Sequence, residues 1–257
     1  MGLLAVTNLT KYFGGLGAVN GLSFNVTRKE IVGLIGPNGA GKSTCLNMID
    51  GSISATGGEV TFNKVNITRL PPYKRAGIGI GRVFQRDVFF ESLTVAENVL
   101  AGFHIHSSKG IVEIFAKSAR VRENERFLAR KVKDVLQVVG LEGQADEPAK
   151  NLPHGKKRAL GLAMGLATQP QLLLLDEPVT GMNNVEIEKM TDIVKSLRDE
   201  KGLTFLVVEH NMKAVMGICD RIVVLDYGKK IAEGLPKDVV RMPVVIEAYL
   251  GAAKSAA

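Results

Sequence analysis

The run Gly36-Pro37-Asn38-Gly39-Ala40-Gly41-Lys42-Ser43-Thr44 has the form G-x-x-x-x-G-K-[ST] and directly follows the apolar stretch Glu30-Ile31-Val32-Gly33-Leu34-Ile35. That placement, a strand feeding a glycine-rich turn and then a helix, admits few folds. The glycines let successive backbone N–H groups converge on a β-phosphate, Lys42 can reach the β and γ oxygens, and the Ser43 hydroxyl is placed for Mg²⁺. A helix beginning at about Gly41 turns its positive end to the same anion. The chain is therefore expected to bind a nucleoside triphosphate.

The 257 residues, 46% of them hydrophobic, are enough to bury one large α/β domain or a domain with an inserted lobe. Cys45 and Cys219 lie far apart and match no metal-ligand spacing, which points away from zinc or a disulfide framework and towards a reducing compartment. Met1 to Val6 lacks a basic leader and a cleavage site, and no apolar run reaches ~18 residues, so neither secretion nor membrane spanning is expected. The net charge of +7 is scattered apart from clusters such as Lys156-Lys157-Arg158. It reads as a solvated surface, with no nucleic-acid partner.

Further short apolar runs end in recognisable chemistry. Leu172 to Leu175 precedes Asp176-Glu177, Phe205 to Val208 precedes Glu209-His210, and Ile222 to Leu225 precedes Asp226-Tyr227-Gly228. Continuous apolar runs bounded by turns are what strands covered on both faces look like. Helical patterns at about Gly41 to Ile49, Val185 to Leu197 and Met212 to Gly217 alternate with them, which predicts a mostly parallel sheet with helices on its faces. Ala18 to Val26 and Glu59 to Phe62 suggest a small antiparallel sheet beside it. From Leu93 to Gly140 strand character is scarce, and Leu128, Val132, Val135, Leu136 and Val139 recur at helical spacing. The expected organisation is one domain over 1–257: residues 1–86 and 161–257 form a nucleotide-binding core with the antiparallel sheet, and 87–160 an inserted helical lobe. The tail from Gly251 to Ala257 is expected to fray.

Asp176, at the carboxyl end of a strand, is placed to hold Mg²⁺ directly or through water, and Glu177 to polarise the water that attacks the γ-phosphate. Through these residues and the phosphate loop, the chain resembles an ABC-type ATPase along nearly its whole length. Val83-Phe84-Gln85 is similar to that family's Q-loop, which implies that Gln85, 43 residues beyond Lys42, senses Mg²⁺ and the attacking water. Phe13 matches the aromatic that stacks on adenine, with Tyr12 as the alternative. Glu209-His210-Asn211 resembles the segment of the switch histidine, which implies that His210 contacts the γ-phosphate. The resemblance thus implies the P-loop NTPase fold, ATP and Mg²⁺ as ligands, and ATP hydrolysis.

The signature segment departs from the family. Leu-Ser-Gly-Gly-Gln is replaced by Leu152-Pro153-His154-Gly155-Lys156, followed by Lys157-Arg158 and a helix expected over Ala159 to Ala167. In the family this segment caps the ATP held by the opposing subunit. Pro153 has neither the hydroxyl nor an N–H, which leaves Leu152, Gly155, Lys156 and the helix start to meet that nucleotide. Val179 to Asn183 occupies the D-loop, with Asn183 where aspartate is commoner, and is expected at a dimer interface.

Phe13-Gly14-Gly15-Leu16, Glu91 to Val99, Val208 to Lys213 and Ile246 to Gly251 are similar to the ATPases of branched-chain amino acid importers. That likeness implies a paralogous ATPase partner, with a homodimer as the alternative, two transmembrane permease subunits and, indirectly, a periplasmic or extracellular solute-binding protein. It implies a cytoplasmic subunit, peripheral on the inner face of the membrane, that drives alternating access by nucleotide-dependent dimerisation. The rival expectation is a soluble ABC-type ATPase of an assembly system.

Overall fold

The central strands carry apolar residues at every position because both faces of their sheet are covered. In the computed structural model, which describes residues 2–85, 88–103 and 119–255, β3 (Ile31–Ile35), β7 (Leu172–Asp176) and β8 (Thr204–Val208) are buried throughout. They lie in a six-stranded sheet of order β10-β9-β3-β8-β7-β6, completed by β6 (Ile80–Val83), β9 (Arg221–Asp226) and β10 (Lys229–Gly234). Every pairing is parallel except that of β10 with β9.

Alternation within these strands feeds two cores. Ile31, Ile35, Leu173, Leu175, Phe205, Val207, Ile222 and Val224 join one. It includes buried residues of α3 (Val95–Phe103), α4 (Ala119–Val139), α5 (His154–Ala167) and α6 (Asn184–Lys201). The intervening Val32, Leu34, Leu172, Leu174, Leu206, Val208, Val223 and Leu225 join the other, which packs on α1 (Lys42–Asp50) and a second sheet. That sheet is four-stranded and antiparallel, of order β2-β1-β4-β5, from β1 (Gly2–Phe13), β2 (Leu16–Thr27), β4 (Gly57–Phe62) and β5 (Val65–Asn66). The short α2 (Pro72–Gly77) supplies Arg75, whose buried guanidinium donates to the carbonyls of Met48 (2.7 Å) and Ile49 (2.8 Å) and so satisfies the end of α1.

The α/β architecture agrees with the expectation, including the periodic face of α4: Val132, Leu136 and Val139 are buried and Leu128 and Val135 partly so. Helices α3, α4 and α5 pack on one another. One strand was not anticipated and two expectations need correction. Nothing in the sequence pattern marks β1, which the structure shows as a full strand. Helix α5 begins at His154, five residues before the expected Ala159, so Gly155, Lys156 and Arg158 are helical. The chain end is also helical: after α7 (Met212–Ile218) and α8 (Pro236–Val239), α9 runs from Pro243 to Ser255. Of the expected inserted lobe, residues 87 and 104–118 lie outside the described residues, as do 256 and 257 of the tail.

Cys45 in α1 is fully buried and Cys219, after α7, is 8% exposed. Burial pushes both thiols up to about 12, with Asp220 and Glu209 adding to the effect at Cys219.

Candidate active site

Parallel register decides which residues meet. Leu34 of β3 lies beside Val208 of β8, Asp176 of β7 beside Val208, and Val83 of β6 beside Leu175. The segments that leave the carboxyl ends of these strands are therefore neighbours at one edge of the sheet, where ligands of open α/β sheets bind. They are the phosphate loop, Asp176-Glu177, Gln85 and Glu209-His210.

The phosphate loop is built for close backbone approach. Gly36 has φ 146°, and a Cβ there would sit 2.1 Å from the Leu225 carbonyl oxygen. Gly41 has φ 100°, with a Cβ placed 2.4 Å from the Ala18 oxygen. Neither position accepts a side chain without displacing a strand or the β2 backbone. Gly36→Ala is expected to cost about 3 kcal/mol, read as a lowered Tm of the isolated chain. An unchanged melting curve would show that the loop relaxes freely. The ammonium of Lys42, 7% exposed, donates to the carbonyls of Gly36 (2.7 Å) and Pro37 (2.8 Å). Burial pushes its pKa below the ordinary lysine value, while the charges of Glu177 and Asp176 oppose that shift. Asn38, Gly39 and Ser43 are exposed; Pro37 and Ala40 are buried and Thr44 is partly so.

Gln85 and His210, both expected from the sequence, and Thr180, which was not, converge on one carboxylate. Gln85 Nε2 donates to Glu177 Oε2 (2.7 Å), Thr180 Oγ1 donates to the same oxygen (3.2 Å), and His210 Nδ1 lies 3.5 Å from Oε1. The backbone of Glu177 is left-handed (φ 51°) and its N–H donates to the Val208 carbonyl (2.9 Å), which turns the side chain off the strand end towards these partners. Asp176, 6% exposed, accepts from Arg82 Nη2 (2.7 Å).

Two positioning roles escape a reading of the sequence. Arg82 in β6 ties Asp176 to α1. The buried Glu209 accepts from Val179 N (3.1 Å), His210 N (2.9 Å) and Asn211 N (3.0 Å), holding the segments after β7 and β8 together. A carboxylate ending an apolar strand was the available signal for Glu209.

Phe13 ends β1 opposite Leu16, is 48% exposed, and has Lys11 Nζ 5.1 Å from its ring centroid. It belongs to the hairpin whose Ala18 abuts Gly41; Tyr12 is 44% exposed in the same hairpin. In the signature segment Leu152 is buried in the helical core, Pro153 is the N-cap of α5 without a side-chain cap bond, and Gly155 and Lys156 are partly buried. His154 Nε2 lies 3.2 Å from the Thr180 oxygen, linking this segment to the one after Glu177. Asn183 works locally, as the N-cap of α6. Its side chain accepts from Val185 N and Glu186 N, and Glu186 closes the capping box.

This strand-end assembly of phosphate loop, paired acids and histidine on a mixed α/β sheet defines a nucleotide-hydrolysing cassette. The ABC transporter profile matches residues 19–180, and the chain belongs to the ABC transporter ATP-binding family; it is an ATPase of that family. A second profile, branched-chain amino acid ATP-binding cassette transporter, matches residues 229–255. The chain is 39% identical over 251 residues to the high-affinity branched-chain amino acid transport ATP-binding protein LivG of Salmonella typhimurium, covering 98% of each chain. It is equally similar to BraF, the corresponding protein of Pseudomonas aeruginosa, at 39% over 98% of each. Among solved structures, a nucleotide-free ATP-binding cassette from an ABC transporter superposes with a TM-score of 0.85 at 32% identity, over 97% of this chain and 99% of that one.

Proposed function

We propose that the chain is the ATP-hydrolysing subunit of an importer for branched-chain amino acids or related small solutes, with Glu177 as general base. The convergence of Gln85, Thr180 and His210 on the Glu177 carboxylate, beside the phosphate loop, is the observation that carries this reading. Glu177 takes the proton of the attacking water. Gln85 and Thr180 hold its Oε2, while His210, 53% exposed in its side chain, is free to turn to the γ-phosphate. Lys42 exchanges its bonds to Gly36 and Pro37 for phosphate oxygens, and the ring of Phe13 stacks on the adenine.

The donor set fits Mg²⁺. Among the described residues no group of three His, Cys, Asp or Glu could hold an ion alone, and the hard oxygens of Ser43 and Asp176, with Gln85 close by, suit an ion that completes its shell with substrate phosphates. When bound, the ion offsets charge on the β and γ oxygens.

The partners follow from the same reading. A second, paralogous ATPase chain supplies its signature to this chain's nucleotide, and this chain's Gly155, Lys156 and the uncapped start of α5 face the partner's. The likeness to transport ATP-binding proteins supports two permease subunits that provide the path, with the chain working on the inner face of the membrane; among the described residues no helix is long and apolar enough to cross a membrane. Similarity to transport ATPases over 98% of the chain favours this over a soluble assembly ATPase.

The permease contact is a groove of about 640 Å³ lined by Phe84, Val88, Phe89, Phe90 and Met164, large enough for the side chains of one short helix. Phe90 is 58% exposed, whereas Phe89 packs partly on the core. The rim is held firmly: buried Asn98 accepts from Phe90 N (2.8 Å) and donates to Phe90 O (3.0 Å) and Thr94 O (2.9 Å). Arg86 and Asp87, between Gln85 and this rim, lie outside the described residues. Glu91→Arg should reduce transport and complex assembly and leave the isolated chain's ATP affinity unchanged, because it reverses a rim charge remote from the nucleotide. A cysteine at 91 should cross-link to cytoplasmic loops of the permease; full transport without a cross-link would place the docking surface elsewhere.

A further inference from the structure

Arg82 sits at a junction between the strand-end acids and the first helix. Its side chain is 9% exposed, and it reaches two carboxylates on different elements: Nη2 donates to Asp176 Oδ2 (2.7 Å) at the end of β7, and Nη1 donates to Asp50 and to Asn47 Oδ1 (2.6 Å) in α1. Its guanidinium carbon lies 4.8 Å from the ring centroid of Phe84, on the same β6 exit that delivers Gln85. Its Nε is buried with no hydrogen-bond partner. A buried guanidinium with an unsatisfied donor costs stability unless the arrangement serves something else. One guanidinium thus bridges two acids, Asp176 and Asp50, that lie on different elements.

We infer that Arg82 is a positioning residue for the metal: by holding Asp176 Oδ2 from behind, it fixes the carboxylate so that Oδ1 is turned to the nucleotide-bound cation. The inference rests on the assignment of Asp176 as a metal ligand. Groups that orient a ligating carboxylate commonly govern metal affinity by 10- to 100-fold. The planar fork is needed, since only a guanidinium can serve Asp176 on one side and Asp50 with Asn47 on the other in a fixed geometry. Through Asp50 and Asn47 the orientation of the ligand is locked to the helix that carries Ser43. Through β6 it is locked to the segment that carries Gln85.

The test compares binding of a non-hydrolysable fluorescent ATP analogue to the full chain in a Mg²⁺ titration and in EDTA. Arg82→Lys and Arg82→Gln should each raise the Mg²⁺ concentration needed for half-maximal enhancement about tenfold, with affinity in EDTA within about twofold of wild type. Asp50→Asn, which removes the charge that pairs with Nη1 but leaves its bond to Asn47, should shift it in the same direction by less, and it serves where Arg82→Gln fails to fold, as judged by its melting curve. Binding of Mn²⁺ followed by electron paramagnetic resonance should weaken in parallel. A wild-type Mg²⁺ dependence in folded Arg82→Lys, or an equal loss with and without Mg²⁺, overturns the inference and leaves Arg82 a structural ion pair. Asp176→Asn separates the two claims: if that variant keeps the wild-type Mg²⁺ dependence, the ligand assignment itself falls.

Discussion

Glu177→Gln should bind ATP as well as the parent chain and hydrolyse it on the order of 10²-fold more slowly, or worse. The substitution is nearly isosteric, so its amide can still meet Gln85 and Thr180, and the left-handed backbone at 177, anchored to the Val208 carbonyl, is undisturbed. What is lost is the one function an amide cannot supply, acceptance of a proton from water. The measurement is steady-state phosphate release by the assembled complex, paired with nucleotide titration of the isolated chain. Hydrolysis near the wild-type rate would remove Glu177 from the role of base. Because nucleotide stays bound, the same variant should accumulate the ATP-held dimer with its paralogous partner, visible by gel filtration.

Lys42→Ala should act at the earlier step. The ammonium is buried and donates to two carbonyls of its own loop, so its removal strips the triphosphate of a charged donor and leaves the Gly36 and Pro37 oxygens without their partner. Charge-assisted bonds of this kind contribute roughly 1.5 to 3 kcal/mol each, which places the loss of ATP affinity at about 10²-fold. Calorimetric or fluorescence titration of the isolated chain reads it directly, and unchanged affinity would mean that the backbone cradle alone holds the nucleotide. The pair of variants separates binding from chemistry.

The central sheet was legible because β3, β7 and β8 are covered on both faces and so spell uninterrupted apolar runs. β1 was not, although it is 12 residues long. Asn8 adopts a positive φ of 49°, and the register with β2 shifts between Val6 and Leu9 and again on either side of Lys11, so the apolar residues do not alternate cleanly along the strand. The start of α5 was hidden for a related reason. Pro153 occupies the N-cap, where no side chain accepts a bond, and the cue of Ser, Thr, Asp or Asn is absent. In the site, phosphate loop, acid pair, glutamine and histidine could each be picked out by their neighbours. Their meeting at Glu177 could not, since Gln85 and Glu177 are 92 positions apart and are joined by the register of β6 with β7. Arg82 stayed invisible, and Glu209 stood out only as the neighbour of His210, because positioning requires geometry and no particular motif.

The two cysteines carry a practical consequence. Both are buried with thiols pushed up to about 12, so at neutral pH the folded surface offers a maleimide almost no competing thiolate. A single cysteine introduced at the groove or beside the phosphate loop therefore becomes a selective attachment point for a spectroscopic label, with no need to replace the native pair. Cys45 itself lies two residues beyond Ser43 in the first helix, and reagent can reach it only when that helix opens. Its rate of alkylation, separated from that of Cys219 by peptide mapping, is thus a built-in clock for breathing of the phosphate-loop helix.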